Sequence, residues 1–355
     1  MTHWSRLSET GSLNGMRLMV AIRRRLGAWP FRIALFPVLV WYFLLRGSAR
    51  RASFDYLKRL DPTLSGLRLW ARSFAHFMQF GEAVMDKVSA WSGEIPLTSL
   101  VGTGPEDLRQ AALRREGGVI LVAHHGNLDV INAIGERNDI DLCALVHTRH
   151  AEKFNQLLEQ ATGRKPPQVI EVSDITPATA MVLGDRVNRG GFVVIAADRV
   201  SIPPTADTVP ADTSTADTHE GGVISVTTTA DISLKPRVHH CDFLGESAPF
   251  PEGPFMLAAL LRCNVYTLGC VRERGGAHPR FRVDFAPFDD SRDIKRSARQ
   301  AWIHQAIQRH AKHLEARVKR HPLQWFNFFD FWHQVPSNES ASDSTDSTPS
   351  TDNNA

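Results

Sequence analysis

Gly118-Val-Ile-Leu-Val-Ala-His124-His125-Gly126-Asn127-Leu128-Asp129 is an apolar run that ends in histidine, passes a glycine and restarts in helical pattern. The apolar half, rich in β-branched residues, reads as a buried strand. Asn127 is a helix N-cap candidate for the stretch from Leu128 to Ile134. His124 then sits at the carboxyl end of the strand and Asp129 in the first helical turn. On one regular helix two residues at this spacing would point about 140° apart, so they meet only if the chain turns between them. Gly126 and Asn127 permit that turn. The pair reads as a general base with its orienting acid.

Outward from this stretch, short β-rich runs alternate with amphipathic ones. Strands are expected over Val119–Ala123, Leu142–Val146, Gln168–Val172, Phe192–Ala197, Leu234–Cys241, Val265–Val271 and Phe281–Phe285. Helices are expected over Leu128–Gly135, Ala151–Thr162, Thr176–Asn188, Phe255–Arg262 and Ile294–Lys319. Upstream, Ala52 to Ser92 has helical periodicity that Asp61-Pro62 should break in two. The pattern predicts an α/β fold with a mostly parallel or mixed central sheet covered by helices, and an N-terminal membrane-associating helical segment. Residues 1–95 form that helical region and 96–336 the α/β domain. The Thr-, Ala- and Asp-rich stretch within 202–232 is expected to be a flexible insertion, and 337–355 a solvated tail.

A chain of 355 residues, 43% hydrophobic and 22% charged, can bury a large core and is not a disordered protein. The net charge of +3 is mild, but Arg17, Arg23, Arg24, Arg25, Arg46, Arg50, Arg51, Lys58 and Arg59 crowd the first sixty positions. They bracket the apolar run Trp29–Leu45, so a membrane surface suits them better than nucleic acid. That run falls short of the about 20 residues that span a bilayer core. Positive charge on both sides gives no orientation, so an interfacial or re-entrant anchor is expected, with a buried core helix as the alternative. No small-residue cleavage site follows, which argues against a signal peptide. Cys143, Cys241, Cys263 and Cys270 lie in apolar contexts without ligand spacing, as reduced thiols do. His124-His125 and His239-His240-Cys241 carry zinc-ligand atoms, but neighbours on a strand face opposite ways and each pair would offer one ligand. No metal is expected.

No serine or cysteine adjoins His124, and no GxSxG elbow occurs. The base should therefore act on a hydroxyl or amine of the substrate itself. The HxxxxD pattern of His124 and Asp129 resembles the signature of the lysophospholipid acyltransferase superfamily. More specifically, it resembles that of the bacterial lipid A biosynthesis (late) acyltransferases. The blocks Leu145 to Asn155, Ala197-Asp-Arg199, Asp242 to Phe255 and Pro322 to Trp332 resemble that family in content and order. The likeness spans Trp4 to Trp332 apart from the insertion, although many lipid A enzymes carry glutamate at the place of Asp129.

The resemblance implies transfer of a fatty acyl group from an acyl carrier protein (or CoA) thioester to a lipid acceptor, at the cytoplasmic face of the bacterial inner membrane. His124 and Asp129 would be catalytic, and the phosphopantetheine would arrive with the donor, so no resident cofactor is implied. Phe250-Pro-Glu-Gly253 resembles an acceptor-binding FPEG motif, which makes Glu252 and Gly253 candidates. Arg149 and Arg199 suit phosphate through bidentate guanidinium contacts, or internal ion pairs. Asn127 and Asn155 complete the candidates, as a cap or site-arranging residue and as a helix-borne polar residue. The oxyanion of such a transfer needs donors, and the amides at Gly126 and Asn127 are candidates. A thioesterase using the pair to activate water, and a non-catalytic membrane module, are the competing readings.

Overall fold

The computed structural model describes residues 13–137, 140–146, 169–171, 177–200, 237–273 and 279–334. Arg149, Asn155, the expected helix Ala151–Thr162, the 202–232 stretch and the 337–355 tail lie outside these residues.

The chain is α/β. Its main sheet has strand order β1 (Leu100–Val101), β9 (Arg280–Asp290), β8 (Asn264–Glu273), β2 (Gly118–Val122), β5 (Phe192–Ala196), β3 (Leu142–Val146) and β4 (Val169–Glu171). The sheet is mixed: β8 and β9 form an antiparallel hairpin, and the other pairings are parallel. A separate antiparallel hairpin joins β6 (Val238–Phe243) to β7 (Glu246–Pro251), and Leu244 at its turn takes a positive φ. Sequence periodicity expected only the first of these two strands, displaced toward the amino end.

β2 is buried along its whole length, as parallel strands covered on both faces are. Its alternate residues feed two cores. Val119, Leu121 and Ala123 meet α7 (Pro177–Asn188), α8 (Gly253–Leu261) and α9 (Arg299–Arg320) through Leu183, Leu257, Ile307 and Leu314. Ile120 and Val122 meet α4 (Gly66–Trp91), α5 (Gly104–Leu113) and α6 (Leu128–Arg137) through Met85, Val88, Leu108 and Val130. Short α5 carries too little periodicity to be read from sequence.

The N-terminal helices α1 (Leu13–Leu26), α2 (Ala28–Leu45) and α3 (Gly47–Leu60) share these cores. α3 ends and α4 begins on either side of Asp61-Pro62. In α2, Phe31, Leu35, Leu39 and Phe43 recur every fourth residue and are buried. The opposite face leaves Trp29, Ile33, Phe36, Trp41, Leu44 and Leu45 exposed. Among the described residues no single helix is long and apolar enough to cross a membrane. Trp29–Leu45 and Gly47–Leu60 pass that test only together, across a 92° bend.

Candidate active site

In β2 and β5, Val122 pairs with Ala196, so the residues two places further on, His124 and Asp198, leave the sheet side by side. Both lie beyond the carboxyl ends of adjacent parallel strands, where open α/β sheets place their sites. His124 Nδ1 is 2.8 Å from Asp198 Oδ1, and the His124 backbone N–H donates to Asp198 Oδ2 at 3.0 Å. An ionised carboxylate only accepts, so the imidazole carries its proton on Nδ1 and keeps a lone pair on Nε2. Asp198 is completely buried, while the His124 side chain is 38% exposed. The imidazole is reachable, and the carboxylate that orients it is sealed.

The charges favour a neutral base beside an anionic partner. Burial lowers the His124 pKa and the Arg199 guanidinium lowers it further, against the opposing pull of Asp198 and, more weakly, Asp129. Burial by itself would raise the Asp198 pKa. The His124 ring, its backbone N–H and Arg199 more than reverse this and hold the carboxylate well below the usual range.

Asp129 does not orient His124. Its carboxylate pairs with Lys87 of α4 at 3.1 Å, because the turn at Gly126 starts α6 along α4, toward Lys87. That turn is fixed by the backbone: Gly126 has φ +80°, and a Cβ there would collide with the Cys270 carbonyl. The Gly126 and Asn127 amides donate to Gln324 and Cys270 carbonyls, both at 2.7 Å. They are therefore engaged in the fold and not free for an oxyanion. Asn127 Nδ2 donates to the Ala83 carbonyl of α4 at 2.7 Å, so this side chain ties the turn to a helix.

Arg199 likewise faces the protein. Its Nε donates to Asn327 Oδ1 at 2.7 Å and a terminal nitrogen to the Phe326 carbonyl at 2.8 Å. Glu252 precedes α8, and its partners lie in the first turns of α9, at the opposite end of that helix from His321, which meets His125. The Glu252 carboxylate is buried against His304 Nε2 at 3.2 Å and Gln300. Gly253 opens α8, with no atom within 4 Å of a built Cβ. His125 is buried with its Nε2 on the His321 carbonyl at 3.2 Å, and burial pushes its pKa down to about 3.

The chain matches no model of a known protein family and no curated protein.

Cys143, Cys241, Cys263 and Cys270 are free and buried, and burial raises all four thiols. None is an activated thiolate. A half-open cleft of about 630 Å3, bounded by Leu57, Leu60, Arg68, Arg72 and Pro322, holds none of the predicted site residues. The residue beside His124 that motif reading missed is Asp198. Its signal was present: Val-Ala-His124 and Ala-Ala-Asp198 each end an apolar run at the same offset, as adjacent parallel strands in register require.

Proposed function

We propose that the protein is an acyltransferase that moves a fatty acyl group from a carrier-protein or CoA thioester to a hydroxyl or amine of a lipid acceptor. The observation that carries this reading is the His124–Asp198 dyad: a neutral, accessible imidazole oriented by a sealed carboxylate, with no serine or cysteine bonded to it among the described residues. Such a base suits a nucleophile supplied by the substrate. His124 Nε2 takes the acceptor proton, the acceptor oxygen or nitrogen attacks the thioester carbonyl, and collapse of the adduct expels the thiolate. His124 then returns the proton to the thiolate. Asp198 holds the imidazole through both transfers and stabilises the imidazolium between them. The likeness to lipid A acyltransferases supports the choice of a lipid acceptor.

The exposed apolar face of α2, set among arginines, supports contact with an anionic bilayer. Aromatic rings at interfaces and basic residues near anionic headgroups are both favourable. The cytoplasmic face of the inner membrane is where carrier-protein thioesters and such a surface meet.

The test is to supply a radiolabelled acyl thioester with an extract of membrane lipids and to compare the full chain with His124→Ala. Labelled lipid formed by the wild type and reduced about 10²- to 10⁴-fold in the variant is the expected result. Labelled free fatty acid without acylated lipid would instead identify a thioesterase. Equal turnover by both proteins would leave the dyad without a catalytic part.

A further inference from the structure

Asp198 has a donor on Oδ2 besides the His124 backbone. Trp325, which is completely buried, donates its indole Nε1–H to that oxygen at 3.2 Å. The Trp325 carbonyl contacts His76 Nε2 at 2.9 Å. A carbonyl only accepts, so His76 carries its proton on Nε2 and its Nδ1 must accept. The Ser53 hydroxyl supplies that donor at 3.1 Å and in turn accepts from Ser73 at 2.8 Å. Burial lowers the His76 pKa to about 4, which keeps the ring in this one-proton form.

Ser53 lies on α3, and Ser73 and His76 lie on α4; all three are completely buried. A buried polar series is costly wherever a member lacks a partner, and apolar side chains would hold these helices together at less risk. A fully paired series fixes geometry instead. We propose that Trp325 is a positioning residue of the dyad: its indole fixes the Asp198 carboxylate, His76 with Ser53 and Ser73 fixes Trp325, and helices α3 and α4 thereby set the orientation of the His124 base. The proposal rests on His124 serving as the base. Both helices also pack against α2, so the series joins the exposed apolar face to the dyad.

The test reads His124 directly, through the pH dependence of its reaction with diethyl pyrocarbonate in the full chain. Tandem mass spectrometry separates it from His125. Trp325→Phe keeps a ring but removes the N–H, so the Asp198 charge is less dispersed and holds the imidazolium more firmly. The His124 midpoint is expected to rise by about one pH unit, with Arg199 and Asp129, the other charges it feels, unchanged. His76→Phe and Ser53→Ala should move it the same way by less, and His76→Gln, which retains an N–H donor, should leave it near wild type.

A midpoint within about 0.2 units of wild type in folded Trp325→Phe overturns the proposal. If that variant does not fold, unmoved midpoints in His76→Phe and Ser53→Ala overturn it equally. The titration needs neither acyl donor nor acceptor. A shifted midpoint in a protein that transfers no acyl group upholds the part of Trp325 and sinks the acyltransferase reading, whereas acyl transfer with an unmoved midpoint sinks only the part of Trp325.

Discussion

Asp198 gathers the Nδ1–H and backbone N–H of His124 and the indole N–H of Trp325 inside the protein, beside the guanidinium of Arg199. Asp129, by contrast, is 35% exposed and paired with Lys87. The two carboxylates should therefore differ sharply on substitution. Asp198→Asn is expected to lower kcat by at least about 10²-fold, because an amide can reverse the imidazole tautomer and remove the Nε2 lone pair. Asp129→Asn should cost less than about tenfold, since its influence on His124 is a distant charge. Steady-state kinetics on the two variants decides between them, and equal losses would return Asp129 to the orienting part. The base must be neutral to act, and its pKa lies below the ordinary 6.5. The acid limb of kcat/KM should thus have its midpoint below pH 6.5.

At the scale of elements, α4 is clamped to β8 under the site. Arg272 of β8 contacts both oxygens of Asp86, at 3.0 and 2.9 Å, and Glu82 at 3.4 Å. Glu82 also holds Arg32 of α2 at 2.7 Å. Arg272→Leu strands these buried carboxylates and should destabilise the fold by about 3 kcal/mol, measured by denaturant unfolding. Burial, only partly offset by Arg272, raises the Asp86 pKa from 3.8 to about 6. Well below pH 3.8, its unfolded value, this carboxyl is neutral in both folded and unfolded chains, and its burial costs least. As pH rises through 6 the cost of a buried charge returns. The loss in Arg272→Leu should accordingly be larger at pH 8 than at pH 5, and a loss independent of pH would assign the damage to packing. The strands of this element were legible because buried parallel strands are continuous apolar runs. The clamp was not, since Asp86 and Arg272 are distant in sequence and unremarkable in their own segments.

For the whole molecule, buried histidines set the acid limit. Burial lowers His76 and His310 to about 4 and His125 to about 3. Their folded values lie below 6.5, so their contribution is complete above pH 6.5 and is lost as pH falls toward 4. Each such group accounts for on the order of a few kcal/mol. The depressed Asp198 adds a second loss below its unfolded value of 3.8. Unfolding midpoints in urea should fall steeply between pH 6.5 and 4. Neither ring nitrogen of His310 has a partner among the described residues, and Phe255 and Phe288 pack edge-on to it. His310→Phe should flatten part of that slope, and a slope identical to wild type would exclude this histidine as a source. The face of α2 makes a separate prediction. The full chain should float with vesicles containing phosphatidylglycerol and less with zwitterionic ones, and Trp29→Ser with Trp41→Ser should weaken both; no flotation with either vesicle would remove the membrane contact.

Local pattern determined the α/β class, the strand that carries His124, the break at Asp61-Pro62 and the glycine turn, because each follows from side-chain periodicity or backbone freedom within a few residues. The apolar pattern placed His124 just past a strand end, where the structure has it, but motif spacing paired that residue with the nearest carboxylate along the chain. Tertiary structure chose Asp198 instead. Parallel pairing of β2 with β5 sets positions 124 and 198 abreast, while the turn at Gly126 starts α6 against α4 and gives Asp129 to Lys87. The same strand pairing and the return of the C-terminal segment over His124 brought in Trp325 and Arg199. Hydrogen bonds act over about 3 Å in space, and separation along the chain carries no record of which groups will be that close.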